Sequence, residues 1–513
     1  MASTYVKASN RLELVIWVVL TIIGVFMAVL DTTVVDVMVP RLQGPLSTDM
    51  YGAQWVITAF MIAASVGFLI TAPLMKRFGN KYVYIGGVLI FTIFSFFCGI
   101  SDSLGFMIFS RAVQGFGEAL IMVSAKVIVF DFFPANKRGM AMGIFALGVA
   151  FAPAVGPTLG GYITQYFSWR AAFFINVPIG ITLVIFGSLL LPNNSLREKV
   201  DTNFISFILL SIATISLLVL LSKGQQYGWF NSPMIIYLLF TVIFALLLFA
   251  ISELLLTNKM FEYSLFKNYH FTIGVLIFTV LFGFSMFQYF YLVPYFYEHI
   301  KGLSSSDAGI GVLGFGVWIG FFSLIAGKLV DKFSPKFVLT IGGVLYLISG
   351  LLLFPTINYY TPFYEAVIKT MLFGMALGMF FAPVTVLVLN NAGKFKEQSI
   401  IITDYARFVG AGFGTAIATN DLVYSASAQF NGMNNLQNYT LVSGIVKHLE
   451  VIYGKAGSAI FGAYENFMSS NYGYKYVWFH AAFFGVAGVA LIFMLLLKSD
   501  KPAKTIQENL IRK

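Results

Sequence analysis

Asp31, Asp36, Arg111, Glu118, Lys126, Asp404 and Arg407 all fall inside stretches that are otherwise apolar. An ionisable side chain in hydrocarbon costs roughly 2.5 to 3.5 kcal/mol on insertion scales, so each is a functional candidate by default. The chemistry open to such groups is proton uptake and release, and the binding of a solute that carries charge or hydrogen-bonding groups. Other chemistries find no support. The four histidines, His270, His299, His448 and His480, lie far apart and show no ligand spacing, so no metal is expected. No G-x-x-x-x-G-K-[ST] run occurs, which leaves an ion gradient, and not a bound nucleotide or other cofactor, as the expected energy source. The single cysteine, Cys98, can form no internal disulfide.

The elements that must hold these groups follow from composition. Among 513 residues, 58% are apolar and only 11% are charged, less than half the charge of a typical soluble globule. Uninterrupted apolar stretches exclude a β-barrel, whose spans alternate over roughly ten residues. Fourteen apolar segments are read near 14–38, 53–75, 82–100, 104–130, 139–163, 170–192, 203–222, 233–256, 270–296, 304–327, 337–355, 362–390, 399–425 and 476–498, numbered here as spans 1 to 14. They leave no segment large enough for a catalytic or signalling module, so an enzyme is not expected. Span 1 is too long for a cleavable signal peptide and carries Asp31 and Asp36 in its second half.

Orientation follows from Lys and Arg, which cytoplasmic loops retain. With the N-terminus inside, cytoplasmic segments hold 21 of them, outer segments seven and the spans four. Both termini are therefore expected in the cytoplasm. The net charge of +10 reflects this asymmetry and not nucleic-acid binding.

Depth then sorts the charges. Asp31 lies about 11 Å below the outer end of span 1 and Arg111 about 11 Å below that of span 4, so the two can pair. A pair that a proton can part suits proton coupling; a static pair fixing span 1 to span 4 is the plainer use of the same geometry. Glu118, two turns after Arg111, shares nearly its face. Asp404 and Arg407, spaced i and i+3 on span 13, either satisfy each other or form a second cluster with Glu118 at similar depth. Glu365 and Lys369 read as a local pair at the end of span 12. Span 9 is rich in rings, among which Phe287 and Tyr291, with Gln288, are candidates to face a cavity. Gly148, Gly156 and Gly160, with Pro153 and Pro157, form a close-packing and hinge element on span 5.

Residues 72–81 (APLMKRFGNK) and 327–336 (GKLVDKFSPK) are similar basic turns 255 residues apart, which suggests two homologous six-span halves with spans 7 and 8 inserted between them. The turns supply Arg77, Gly79, Lys81 and Asp331 as candidates for a cytoplasmic gate. Leu30 to Val37 (LDTTVVDV) with Pro40, Gln54-Trp55-Val56 with Thr58, Arg111-Ala112-Val113-Gln114-Gly115, GVAFAPAVGPTLGGYI from Gly148 and WRAAFFINVPIGI from Trp169 then occur in order. Ser264-Leu265-Phe266-Lys267-Asn268 and Arg407 continue the series. The chain strongly resembles the fourteen-span drug:proton antiporters of the major facilitator superfamily, the EmrB/QacA type, over nearly its whole length.

The resemblance implies an all-α integral membrane fold of two six-helix bundles: residues 1–192 and 263–498, with two inserted spans within 193–262, a long extracytoplasmic loop at 426–475 and a cytoplasmic tail at 499–513. It implies export of small, usually lipophilic compounds in exchange for protons, as in multidrug efflux, from the bacterial cytoplasmic (inner) membrane. The partners are lipid and small-molecule substrate and, as for some relatives in double-membraned bacteria, a periplasmic adaptor and outer-membrane channel. Uptake by symport, or dedicated export of a polar or zwitterionic metabolite, is the alternative. Asp31, Arg111 and Asp36 become the expected proton-coupling group; Glu118, Asp404, Arg407, Gln288, Phe287 and Tyr291 the substrate group; and the span 5 glycines and prolines the conformational seam between the halves. Four positions depart from the family's pattern: Asp36 stands where Asn is usual, Glu118 where a small residue is, Lys126 where a neutral polar residue is, and Asp404 where Asn or Ser is expected. These extra charges point to a substrate with its own charge or several polar groups.

Overall fold

The computed structural model describes residues 10–193, 203–256, 258–303, 305–393, 395–436, 447–448, 451–452, 477–478 and 481–497, and the described residues contain no strand. The principal helices are α1 (Arg11–Leu42), α2 (Trp55–Phe78), α3 (Asn80–Gly99), α4 (Leu104–Phe132), α5 (Arg138–Tyr166) and α6 (Trp169–Leu190), followed by α7 (Phe204–Lys223) and α8 (Pro233–Leu255). Then come α9 (Tyr269–Glu298), α10 (Asp307–Lys332), α11 (Pro335–Thr356), α12 (Phe363–Asn390), α13 (Lys396–Leu436) and α14 (Ala481–Leu496). Eleven are long and apolar enough to cross a membrane; α5, α13 and α14 occupy three further expected positions and stand outside that eleven. Helix α13 continues 11 residues past the expected end of span 13, into the segment read as loop. The rest of 426–475 lies almost wholly outside the described residues.

Short polar side chains start these helices. Asn10 accepts from the Glu13 amide at 2.8 Å, Asn203 from the Ser206 amide at 3.0 Å and Asn268 from the His270 amide at 3.0 Å, meeting donors that a helix start leaves unpaired. Burial separates the helices by place. About 89% of the apolar window of α4 and of α12 is enclosed by protein, against 17% for α8, whose Tyr237, Phe240 and Phe244 face outward. Helix α4, which carries Arg111, Glu118 and Lys126, therefore runs through the interior.

Helices α1 to α6 pack into one bundle and α9 to α14 into another. They meet along α5 and α10 over most of their length, and along α2 and α13, where α7 also packs. Glycines let α5 and α10 touch backbone to backbone: a Cβ at Gly139 would lie 2.4 Å from the Gly327 carbonyl oxygen, and one at Gly143 2.7 Å from that of Ser323. Much of the ring content of α9 is core and not cavity lining. Tyr289 stacks on Trp478 at 5.5 Å and meets Phe373 at 4.2 Å, while Phe282, Phe296 and Tyr297 are buried.

Candidate functional site

Two buried polar clusters lie along α4. In the first, Arg111 Nη1 donates to Asp31 Oδ2 at 2.5 Å, with both side chains excluded from solvent. Asp31 Oδ1 accepts from Asn176 Nδ2 at 2.7 Å and from Gln114 Nε2 at 3.2 Å, and Arg111 Nη1 also donates to Gln114 Oε1 at 2.8 Å. Arg111 Nε donates to the Val56 carbonyl at 3.1 Å, and the guanidinium lies 4.0 Å from the Phe60 ring centre. Ser95 Oγ accepts from both Gln114 and Asn176 and donates to the Phe173 carbonyl. One carboxylate and one guanidinium thus tie α1, α2, α3, α4 and α6 together, and the low dielectric around them strengthens every bond in the set.

The expected Asp31–Arg111 pair forms. Gln114 and Asn176 complete it and were not singled out as site residues, although both lie inside the quoted runs; a neutral amide bears no sign of its role until a charge is placed beside it. The side chain of Asp36, the third expected coupling residue, lies outside the described residues.

The second cluster joins the two bundles. Lys126 Nζ on α4 donates to Asp404 Oδ1 on α13, with 1% and 0% of the two side chains exposed. Arg407 Nε stands 3.8 Å from the same oxygen. The local i, i+3 pair is therefore the longer contact, and the dominant partner of Asp404 is Lys126, which the spacing argument left out of the site. Glu118, 3% exposed, feels the charges of Arg407 and Arg111, and its Oε2 has no hydrogen-bond partner. The Lys126 ammonium lies within 6 Å of the ring centres of Phe145, Phe278 and Phe381.

On α9, Gln288 is fully buried with neither amide atom hydrogen-bonded, Tyr291 is half-buried and stacks on Tyr295 at 6.1 Å, and Phe287 is half-buried against Phe290. Glu365 and Lys369 do form their local pair, at 2.6 Å.

The span 5 glycines sit elsewhere than expected. A Cβ at Gly148 would meet Ile22 at 2.8 Å, one at Gly156 would meet Thr33 at 2.0 Å and one at Gly160 would meet Val34 at 3.2 Å, so all three face α1 within one bundle. The glycines against the other bundle are Gly139 and Gly143, a separate set near the start of the same helix. Spacing reveals that small residues share a face, but not which neighbour that face meets. The side chains of Pro153 and Pro157 lie outside the described residues.

Of the two basic turns, the second reaches across the seam. Asp331 accepts from the Gly139 amide at 2.7 Å and the Met140 amide at 2.9 Å, placing a carboxylate at the N-terminus of α5. In the first turn, Lys81 donates to the Ser188 carbonyl at 2.8 Å, exposed Arg77 lies over Phe78 at 5.4 Å, and Gly79 has φ of 96°, a conformation that side chains other than glycine's rarely adopt.

Two bundles thus meet along a glycine-lined seam, with buried charges at their junction. Residues 21–415 match the model for the Major Facilitator Superfamily. The chain is 29% identical over 415 residues to the multidrug export protein EmrB of Escherichia coli (strain K12), covering 80% of this chain and 81% of that one. It is 33% identical over 385 residues to the riboflavin transporter RibZ of Clostridioides difficile (strain 630), covering 74% and 82%. It is 25% identical over 521 residues to YhcA of Bacillus subtilis (strain 168), an uncharacterised transporter of the same superfamily, covering 98% and 96%. Its fold is similar to that of the xylose transporter XylE from E. coli in a partially occluded inward-open conformation, with a TM-score of 0.57 at 14% identity over 94% of this chain and 98% of that one. This multi-pass membrane protein belongs to the major facilitator superfamily, among transporters of the EmrB type.

Proposed function

We propose that the chain is a proton-driven exporter of small amphipathic compounds in a bacterial cytoplasmic membrane. All fourteen helices cross, both termini are cytoplasmic, and residues 1–192 and 263–498 rock about a substrate site between them while 193–262 supplies the inserted pair. Asp31 and Arg111 couple the proton; Glu118, Asp404, Arg407 and Lys126 contact the solute. One observation carries this reading: the Lys126–Asp404 pair is buried and is shared between the bundles. If the bundles rotate apart, the two charges lose each other, and each needs a replacement from a solute or a proton. Relatives named as multidrug exporters support a broad substrate range. The relative named as a riboflavin transporter favours a second reading, in which the charged centre serves one polar metabolite. An adaptor and outer channel are partners that the EmrB relatives suggest.

Direction is the test. In inverted vesicles with an acid interior, adding substrate should dissipate the proton gradient for an exporter working by antiport. A gradient left intact by a substrate that the purified protein binds would overturn the proposal.

A further inference from the structure

Lys126 has more around it than an ion pair needs. Its ammonium lies 5.5 Å from the ring centre of Phe145, 5.7 Å from that of Phe278 and 5.5 Å from that of Phe381, and it donates to Asp404. Three rings from three helices and a carboxylate from a fourth have the composition of a receptor for an organic cation, because ring faces attract positive charge and the carboxylate balances it. The rings also hold one another: Phe145 and Phe381 stack at 5.9 Å, and Phe278 meets Phe381 edge-on at 5.7 Å. The cage therefore does not depend on the lysine for its walls.

We propose that Lys126 is a built-in occupant of a cation site between the two bundles, and that its presence makes the transporter reject lipophilic monocations in favour of solutes bearing an acidic group. This rests on the exporter reading and names the substrate class for that site. The charges at the cage are Lys126 and Arg407 against Asp404, while Glu118, two turns earlier on α4, answers to Arg407 and Arg111. An incoming cation would have to displace a tethered ammonium and leave it buried without its counter-ion, a heavy penalty. An incoming carboxylate meets the opposite situation. As α13 carries Asp404 away from α4, the solute's anionic group takes its place on Lys126, with the rings packing its apolar body. Without Lys126 the same pocket holds Asp404, with Arg407 3.8 Å from its Oδ1, beside an empty cage of rings.

The test is a gain of binding, which misfolded protein cannot supply. Isothermal titration of benzyltrimethylammonium into monodisperse, detergent-purified protein should yield at least tenfold tighter binding for Lys126→Ala than for wild type. Lys126→Gln, read in the same way, is the second variant should Lys126→Ala aggregate. Lys126→Arg should exclude the cation as wild type does, and Asp404→Asn added to Lys126→Ala should abolish the gain. Affinities of Lys126→Ala and Lys126→Gln within twofold of wild type, a gain that survives loss of Asp404, or wild-type protein that itself binds the cation through Asp404 would each overturn the proposal. Binding in detergent needs neither proton gradient nor direction, so failure here leaves the exporter reading standing, and failure in the vesicles leaves this one.

Discussion

Asp31 ties several helices together, and under the proposed function the same carboxylate carries the coupling proton. It accepts from Arg111, Asn176 and Gln114, each from a helix other than its own. Removing one partner of a buried ion pair usually costs about 3 to 5 kcal/mol, because the other charge is left uncompensated. Asp31→Asn keeps the shape and an acceptor for Arg111 but cannot change charge. Reconstituted Asp31→Asn is expected to lose uphill transport and its response to a pH gradient while still binding substrate. A pair with only a structural role would instead lower the thermal unfolding temperature and leave the residual transport as pH-dependent as that of wild type. Asn176→Ala tests the support. One hydrogen bond to a charged group contributes about 1.5 to 3 kcal/mol, so this variant should unfold at a lower temperature in a thermal-shift measurement. Depth arithmetic along two helices sufficed to pair Asp31 with Arg111. It could not find Lys126 and Asp404, which are 278 positions apart, because Arg407 on the same helix offered a nearer partner in sequence.

Among the elements, α5 has two jobs on two faces. Its later glycines admit α1, and its first turns admit α10, where Asp331 binds two amides of the opposite bundle. A carboxylate at a helix N-terminus contributes about 0.3 to 1 kcal/mol when exposed and up to about 2 when partly buried. Asp331→Ala should therefore shift the closed seam toward the open one about fivefold. The readout is labelling of Ser323→Cys, a buried α10 position beside Gly143, by a membrane-impermeant maleimide from the side where α5 begins. Cys98, fully buried, stays silent. Labelling should accelerate about fivefold with Asp331→Ala and should not change with Glu365→Gln, whose partner Lys369 lies on its own helix. Sequence supplied the asymmetry between the two basic turns, since Lys76 occupies the place in the first that Asp331 holds in the second. That the acidic turn reaches α5 depends on the bundle rotation, which no local pattern encodes.

For the whole molecule, the inserted helices are not an appendage. The repeat of the basic turns sets α7 and α8 apart as an insertion between two halves, and the largely outward-facing surface of α8 fits that description. Helix α7 differs: Ser222 hydrogen-bonds Thr58 of α2 at 3.0 Å, and Thr214 hydrogen-bonds Tyr405 of α13 at 2.5 Å. It therefore bridges the line along which the two bundles meet. A rocking cycle obliges α7 to ride with one bundle and slide on the other. Its contacts with α2 are the more extensive, and the Lys223 ammonium also lies 5.3 Å from the ring centre of Trp55 on that helix. Against α13, Leu218 packs where Gly412 leaves room: a Cβ there would lie 2.6 Å from Leu218. Helix α7 should accordingly travel with α2 and slip along α13. A disulfide between Leu218→Cys and Gly412→Cys is expected to arrest transport in proteoliposomes, with full recovery on reduction, whereas one between Thr58→Cys and Ser222→Cys should leave most of the rate. The reverse result would assign α7 to the second bundle. Unchanged rates with both disulfides formed would mean that the α2–α13 line does not open during turnover, and the motion would then be confined to the glycine seam of α5 and α10.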